Sequence, residues 1–480
     1  MNIDQQCHAT RRAFLTSAAS GLGGAALLSL LARDGLAMDA KLPGSASPLA
    51  PKPPHFPPRA KNCIFIFLAG GTSHIELFDP KPKLKQLSGQ MVPESFFANQ
   101  RFSFIRRDES LLMESPFGYR RYGECGLEMS ELLPHIGAQA DQFAIVRSMH
   151  TDAFDHAPAE ILFSTGVDAP GRPSAGAWLT YGLGSESENL PGYVVLISGR
   201  GPVSRSMTWG SGFLPTVYSG VLLRSQGEPV LNLSSPPGVT DELQRAQLDA
   251  VQRLNRRRLE QTGDGEIASR IASYELAFRM QSAAPELIDV SGESQQTLDN
   301  YGTQRVGEGG NFGVNCLLAR RLVERGVRFV SLFHRRWDHH KKLKEGLEEG
   351  CGIVDQPIGA LLADLKQRGL LDSTLVVWGT EFGRTPVTQN SQPGPSAGRD
   401  HHRFGFSTWL AGGGVRGGQA VGATDELGWH AVEDRVHIHD FYATLLHLFG
   451  LDHLRLTHPH MGLDVRLTEQ GGHVVDKLLS

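Results

Sequence analysis

The sequence contains few cysteines, no apolar run long enough for a membrane and no large excess of charge. Its five cysteines in 480 residues stand far apart, which excludes a clustered cysteine metal site and a dense disulfide framework but leaves room for one or two disulfides. No segment approaches the ~20 apolar residues of a transmembrane helix, so we expect no integral membrane span. The formal net charge is -4 and the one notable basic run is Arg256-Arg257-Arg258, which argues against nucleic acid as a partner.

The N-terminal segment has the layout of a twin-arginine export signal. Residues 10–15 are TRRAFL, a weakly apolar run follows over 16–32, and small residues lie near 35–37. This layout predicts a signal peptide over residues 1–37, with a short N-terminal helix as the alternative. We therefore expect a periplasmic or secreted protein that has the twin-arginine export machinery as a partner. Residues 38–60 are rich in Pro, Ala, Ser and Lys and are expected to be a flexible linker.

Apolar runs alternate with helical patterns along the rest of the chain. The runs are apolar on both faces, which is typical of central strands in a parallel sheet. Residues 355–369 fit one amphipathic helix, with Asp355 as its N-cap and Gly369 at its end. The alternation predicts an α/β fold over residues 61–475, a doubly wound, mostly parallel sheet with helices on both faces. The runs are 62–68, 143–146, 193–197, 327–333 and 374–378.

The alternation is interrupted at about residues 200–310. Residues 204–233 are rich in Gly, Pro and Ser, which is typical of a loop. Residues 240–281 fit two charged amphipathic helices that are broken near Gly263-Asp264-Gly265. We expect this segment to be an insertion or a helical cap.

Histidines and carboxylates follow several of the predicted strands. Thirteen of the nineteen histidines come after residue 330. Asp338 and His340 lie two positions apart after one run, so strand alternation places them on the same side. His401 or His402 can add an imidazole, and Glu381 can add a carboxylate at the end of the neighbouring run. Such donors suit zinc or a similar divalent ion, and a hydrogen-bonded cluster that holds loops together is the alternative. The candidate metal ligands are Asp338, His340, Glu381 and His401.

Five motifs are distributed over most of the chain. They are the Gly-rich turn at 70–71, Asp-His-Ala-Pro-Ala at 155–159 leading to Thr-Gly at 165–166, Trp-Asp-x-His at 337–340, Gly-Thr-Glu-Phe-Gly-Arg-Thr-Pro at 379–386 and Gly-Arg-Asp-His-His at 398–402. With these motifs the chain resembles the exported domain-of-unknown-function 1501 family over roughly residues 60–475. The resemblance implies a relationship to sulfatases, membership of the alkaline phosphatase superfamily and a metal site at the strand ends of an α/β fold.

The resemblance also implies a role for His156. Alkaline phosphatases carry their nucleophilic Ser in the motif that corresponds to 155–159, and His156 takes the place of that Ser. His156 is therefore the candidate catalytic residue, as a general base, a further metal ligand or a covalent nucleophile. Support of its own loop is the alternative.

The same resemblance indicates one preserved metal site and one altered site. Asp338 and His401 match ligands of the superfamily's first site, where His340 replaces another His. Glu381 matches a carboxylate of the second site. Two other ligands of that second site are replaced, by Gly71 and Phe382.

The expected function is that of a metal-dependent hydrolase of the sulfatase or phosphatase type. Its substrate would be a small-molecule or glycan sulfate or phosphate ester, which Arg384 could bind because a guanidinium grips such anions bidentately. A salt bridge to a neighbouring loop is the alternative for Arg384. The expected cofactor is a divalent metal, zinc first, with calcium, magnesium or manganese as alternatives. A non-catalytic protein that binds anionic glycans, or a cell-envelope protein on the same fold, is the alternative function.

Overall fold

The computed structural model describes residues 47–96, 105–106, 108–236, 238–469 and 471–480. The predicted export signal and the first part of the predicted linker lie outside these described residues. The chain divides into two compact units: Ser234–Glu275 belong to one, and Leu49–Leu233 with Leu276–Ser480 form the other, which carries the α/β fold. Among the described residues, no helix combines the length and apolar character needed to cross a membrane.

The strands and helices are numbered here in chain order. The strands are β1 Asn62–Ala69, β2 Tyr119–Tyr122, β3 Leu127–Ser130, β4 Phe143–His150, β5 Tyr193–Gly199, β6 Val221–Leu222, β7 Phe329–Arg335, β8 Thr374–Gly379, β9 Gly383–Thr388, β10 Arg399–His402, β11 Phe406–Ala411, β12 Gln419–Val421, β13 Ala423–Thr424, β14 Ala431–Glu433, β15 Val436–His437, β16 His458–His460 and β17 Leu463–Val465. The helices are α1 His74–Leu77, α2 Pro82–Leu87, α3 Pro134–Gly137, α4 His156–Thr165, α5 Ala175–Leu183, α6 Asp241–Thr262, α7 Gly265–Ile288, α8 Gln295–Asn300, α9 Glu308–Glu324, α10 Leu343–Gln367 and α11 Ile438–Leu448.

The central sheet of the described chain has nine strands in the order β12-β4-β11-β8-β1-β7-β5-β6, with β15 alongside β4. Its pairs are parallel except those of β11, which runs antiparallel to β4 and β8. The predicted mostly parallel sheet is confirmed, and the five predicted runs fall on β1, β4, β5, β7 and β8. Because β11 reverses between β4 and β8, the carboxyl ends of β4, β8, β1 and β7 all meet at one edge.

Side chains of β1 alternate between two hydrophobic cores, one on each face of the sheet. Ile64 and Ile66 pack with residues of α9 and α10. Phe65 and Phe67 pack with residues of α4, α5 and α11. Every residue of β1 is buried, so the strand that ends at the site edge is fixed from both sides.

The helix predicted over 355–369 is the second half of a longer one, since α10 begins at Leu343. The prediction that Asp355 caps it is therefore wrong. The Asp355 carboxylate instead accepts the backbone N–H groups of His135 and Ile136 at 3.0 and 2.8 Å, and so caps the start of α3. A carboxylate in the middle of one helix can serve the free N–H groups of another, which spacing along the chain does not reveal.

The two charged helices predicted in the interrupted segment are confirmed as α6 and α7. The Thr240 hydroxyl accepts the N–H of Leu243 at the start of α6, and Gly263 ends this helix with a left-handed φ of 65°. The compact unit Ser234–Glu275, which contains α6 and the first part of α7, is shorter than the predicted insertion of about 200–310. The flanking parts of that segment belong to the α/β unit.

The described part of the predicted linker does not behave as a flexible tether. The backbone N–H of Lys52 donates to Leu183 O at 2.9 Å, that of His55 to Gly450 O at 2.8 Å and that of Arg59 to Leu448 O at 2.9 Å. These bonds hold the segment against α5 and the end of α11. Backbone N–H groups of this Pro-rich segment are satisfied by carbonyl groups of the domain. The folded unit therefore begins before residue 60.

The cysteines of the described chain are free thiols. Cys63, Cys316 and Cys351 are buried and Cys125 is exposed. Burial raises the pKa of the Cys63, Cys316 and Cys351 thiols, which suits inert packing residues. The one or two disulfides for which the sequence left room are thus absent from the described residues.

We expect the buried imidazole of His74 to make the fold sensitive to acid. Its Nε2–H donates to Gly428 O at 2.9 Å, its Nδ1 has no hydrogen-bond partner, and burial lowers the pKa from 6.5 to about 3. Below pH 6.5 the unfolded chain takes up a proton at this position that the folded chain refuses. Its contribution to stability is therefore full above that pH and is lost as pH falls towards the folded pKa.

Urea unfolding between pH 7.5 and 5 checks this expectation. The His74→Gln variant should lose less of its unfolding free energy over this range than the parent chain does, because the amide does not titrate. The matched control is His473→Gln, since the His473 side chain is 93% exposed. An unchanged pH slope in His74→Gln would contradict the assignment.

Candidate functional site

The candidate site residues lie at the edge where the strands of the sheet end. His156 opens α4 after β4, Asp338 and His340 follow β7, and Glu381 follows β8. His401 lies on β10, which pairs antiparallel with β9 next to this edge. The fold thus brings together residues from four separate parts of the sequence.

Three imidazoles converge on the carboxylate of Asp338. Its Oδ1 lies 2.8 Å from His340 Nε2 and 3.3 Å from His401 Nε2. Its Oδ2 lies 3.2 Å from His156 Nε2. One donor atom from each of these four residues lies within 4.8 Å of the others, close enough for one metal ion to bind all four.

Each of the three imidazoles is held by an acceptor at its other nitrogen. His156 Nδ1 lies 2.8 Å from Glu381 Oε1, and His401 Nδ1 lies 2.9 Å from Phe154 O. His340 Nδ1 contacts Gln389 Oε1. An acceptor at Nδ1 keeps a proton on that atom, so Nε2 is the nitrogen that faces the cluster and can bind a metal when it carries no proton. Metal-binding histidines in proteins are oriented in this way.

The unpartnered nitrogen of His156 provides a test of whether a metal fits. His156 Nε2 is buried and makes no hydrogen bond within the described residues, although it lies within ion-pair distance of Asp338. A buried nitrogen without a partner is costly unless a ligand satisfies it. Its position between two other imidazoles and a carboxylate is suited to a divalent cation. The donor set therefore fits a metal ion.

The ligand set differs from the predicted one by an exchange of His156 for Glu381. The Glu381 side chain is fully buried and accepts the N–H of Gly70 at 2.7 Å and that of His156. It lies behind the His156 ring and orients it, so Glu381 is not in the four-residue cluster. Of the roles considered for His156, the geometry matches that of a metal ligand.

The charges in the cluster shift the protonation of its members. Burial disfavours a charge on His156, but Asp338 and Glu381 outweigh it and raise the pKa of His156 to about 9. Burial lowers the pKa of His401. For Asp338, burial acts to raise the pKa, but the three imidazoles and the Arg384 charge hold it well below its usual range. The site therefore carries a carboxylate at neutral pH.

Arg384 does not fill its predicted role as a substrate clamp. Its side chain is 0% exposed and its N–H groups are directed at acceptors of the protein. Nε donates to Gly71 O at 2.9 Å, Nη1 to Arg399 O at 3.1 Å, and Nη2 to Asp338 Oδ1 at 2.7 Å and to Gly70 O. The salt-bridge alternative holds, because a guanidinium whose hydrogen bonds are used internally cannot grip a substrate.

Glycine and phenylalanine shape the wall of the cluster. Gly70 has a φ of 124°, and a Cβ there would lie 2.7 Å from the backbone N of Asp338. Only glycine lets β1 approach the Asp338 segment so closely. The Phe382 ring lies 5.2 Å from the His156 ring and 4.5 Å from the His401 ring, so an apolar ring packs against two of the three imidazoles.

The sequence did not predict two hydrogen-bond acceptors of the site, and ligand spacing alone did not distinguish His401 from His402. Gln389 and the carbonyl of Phe154 orient imidazoles, but neither lies in a motif with ligand spacing. His402, the alternative to His401, is buried elsewhere and contacts Trp429 O. Only pairing of β10 with β9 distinguishes the two neighbouring histidines, because adjacent strand residues face opposite sides.

The family of the chain follows from the model that it matches. The model described as "Protein of unknown function (DUF1501)" matches residues 60–479. The chain belongs to this family. The predicted family resemblance is confirmed over the whole α/β unit and its insertion.

Proteins of known structure are similar to this DUF1501 protein only at a low level. The PsFucS1 sulfatase from Pseudoalteromonas sp. is 11% identical, with 82% of this chain and 68% of that chain covered and a TM-score of 0.35. The lipoteichoic acid synthase LtaP from Listeria monocytogenes is 10% identical, with 87% and 78% covered and a TM-score of 0.36. The alkaline phosphatase from the Antarctic bacterium TAB5 is 11% identical, with 74% and 92% covered and a TM-score of 0.31. No curated protein matches the chain.

We expect graded metal loss when the centre of this DUF1501 site is altered. Asp338→Asn removes the charged ligand and should leave the purified protein with little bound metal. Glu381→Gln keeps an acceptor for His156 but loses its charge, so metal affinity should fall about 10-fold to 100-fold. Elemental analysis and competition with a fluorescent chelator measure both effects.

The exposed Asp372 provides the matched control. Asp372→Asn makes the same chemical change outside the cluster and should keep the metal content of the parent chain. Full metal occupancy in Asp338→Asn would show that the cluster is not a metal site.

Proposed function

We propose that this protein is an exported, single-metal hydrolase of a sulfate or phosphate ester. The observation that carries the proposal is the convergence of three oriented imidazole Nε2 atoms on the Asp338 carboxylate. The motif resemblance to the sulfatase and phosphatase superfamily supports the choice of ester. A divalent metal bound at such donors would act as a Lewis acid and lower the pKa of water.

The residues at this site would have two roles, to bind the metal and to orient the residues that bind it. His156, His340 and His401 would hold the metal with Asp338. Glu381 and Gln389 fix the orientation of two of these rings. Arg384 immobilises Asp338 Oδ1 and leaves Oδ2 in contact with His156 alone. This oxygen is the one best placed to bind a cation.

Solvent access favours catalysis over a purely structural metal. The side chains of Asp338 and His340 are 32% and 25% exposed, whereas that of His401 is 4% exposed. The cluster is therefore open on one side, and structural metal sites are usually closed by their protein ligands. A substrate or water can reach the open side without any rearrangement of the sheet.

The proposal is limited to chemistry with one metal. The cluster around Asp338 is the one group of three or more suitable donors in the part of the chain that the structure describes. Phe382 occupies the position where the superfamily carries a second imidazole. Hydrolysis by two metals that flank the reacting centre needs two such groups, so an ordinary alkaline phosphatase mechanism is not proposed.

We expect His156→Ala to abolish ester hydrolysis without unfolding the protein. The substitution removes an imidazole from a set of four donors and leaves the buried Glu381 without its imidazole partner. The measurement is turnover of a panel of aryl and sugar sulfates and phosphates by metal-loaded protein, with circular dichroism to check the fold.

His473→Ala, at an exposed histidine, should match the parent chain in this assay. Full activity in His156→Ala would refute the assigned role. Stoichiometric metal without turnover of any ester would instead favour the non-catalytic, anion-binding function.

We also propose export by the twin-arginine route, on the evidence of residues 10–15. Arg11→Lys together with Arg12→Lys should retain the precursor in the cytoplasm, because the receptor distinguishes guanidinium from ammonium. Cell fractionation with an antibody against the α/β unit measures the distribution. Lys61→Arg is the charge-conserving control and should not change export. Undiminished mature protein outside the cytoplasm in the double variant would refute this route.

A further inference from the structure

Three arginines without acidic partners lie at the site edge of the sheet. Arg200 follows β5, Arg335 ends β7, and Arg205 begins a 3₁₀ turn, Arg205–Thr208. None of their side chains has an ion pair or hydrogen bond among the described residues. Arg200 and Arg205 are exposed and Arg335 is half-buried. Most other arginines of the α/β unit have a side-chain partner, and these three are called the arginine rim.

Two arginines of the rim, Arg200 and Arg335, are held near one another by the backbone. Arg200 and Arg335 form an antiparallel β-bridge, which places opposite Cα atoms roughly 4.5–5.5 Å apart. Like charges in such positions repel each other unless an anion lies between them. Glu308, whose carboxylate lies close to Gly199, is paired with Arg336 instead, at 3.2 Å.

The turn that carries Arg205 is fastened beside the candidate metal site. The fully buried Glu160, one helical turn after His156, accepts the N–H groups of Val203 and Ser204 at 3.0 and 2.8 Å. The Ser204 hydroxyl donates to Ala157 O at 2.9 Å. Arg205 therefore begins next to the first turn of α4, the turn that also carries His156.

Arg205 adopts a backbone conformation that is unfavourable for its residue type. Its φ is 48°, in the left-handed region that non-glycine residues seldom occupy. The bonds from Glu160 and Ser204 fix this conformation. Such strain at a residue beside a site is typical of a functional position, and the long cationic side chain at this position is exposed.

The geometry points to the arginine rim as a subsite for a second anionic group of the substrate. This inference rests on the proposed function and specifies the substrate class, an ester that carries at least two sulfate or phosphate groups. One group would lie at the metal cluster and the other would be gripped by guanidinium groups, which bind such anions bidentately. The buried Arg384 cannot supply this contact.

Calorimetric titration with small polyanions tests the rim independently of hydrolysis. The probes are inositol hexasulfate, inositol hexakisphosphate and uncharged inositol. The parent chain should bind one or both anions and not inositol, and the tighter of the two identifies sulfate or phosphate as the preferred group. Asp338→Asn, which removes the metal and any hydrolysis, should lose the contact at the cluster but keep the part of the binding that depends on the rim arginines, so failure of the rim and failure of the hydrolase proposal are distinguishable.

The decisive variant is Arg200→Gln, Arg205→Gln and Arg335→Gln combined. It should weaken polyanion binding at least about tenfold. Arg256→Gln, Arg257→Gln and Arg258→Gln combined removes the same number of charges from the other compact unit and should change binding less than about twofold. If the triple variant unfolds, Arg205→Gln alone provides a second test. This residue is exposed, and its substitution should still weaken polyanion binding. Equal losses in the rim and control variants, no loss in Arg205→Gln, or no binding by the parent chain would overturn the proposal.

Discussion

The candidate site depends on the contact between the buried Arg384 guanidinium and the Asp338 carboxylate. A fully buried guanidinium is costly unless its N–H groups are satisfied, and here they bind backbone carbonyls of β1 and β10 segments as well as the carboxylate. One side chain thus ties together the ends of several strands. The carboxylate that it holds is the point on which three imidazoles converge. Without this bond, the charge of Asp338 would be free to turn towards solvent.

The surrounding fold makes this arrangement rigid. β1 is buried on both faces and is followed by Gly70, whose missing side chain permits the close approach of the Asp338 segment. Glu381, also buried, binds the Gly70 N–H and the His156 ring at once. The orientation of one imidazole is therefore coupled to the path of the central strand. A site held by side chains on fixed strand ends needs little reorganisation to bind an ion.

The sequence predicts the sheet well because its strands are buried on both faces, and short continuous apolar runs such as 62–68 are typical of strands in that position. It also predicts Asp338, His340 and His401, because carboxylates and imidazoles at strand ends are distinctive. The sequence does not distinguish a residue that can bind the metal from a residue that orients it through a hydrogen bond. Glu381 and His156 exchanged roles because burial and the direction of a side chain decide between them, and neither depends on spacing. Asp355 shows the same limit, since its partner lies in another helix.

His156 is part of the cluster that can hold a metal. Under the proposed function, the group that attacks the substrate therefore has to come from elsewhere. The partly exposed side of the cluster, at Asp338 and His340, is where a substrate can enter. Arg205 of the arginine rim lies beside the turn that carries His156, and under the proposal a negative substrate would satisfy both the charge of the rim and the open side of the cluster. The protein thus contains guanidinium groups in two settings. The buried Arg384 organises the site, and under the proposal the arginines of the rim bind a ligand.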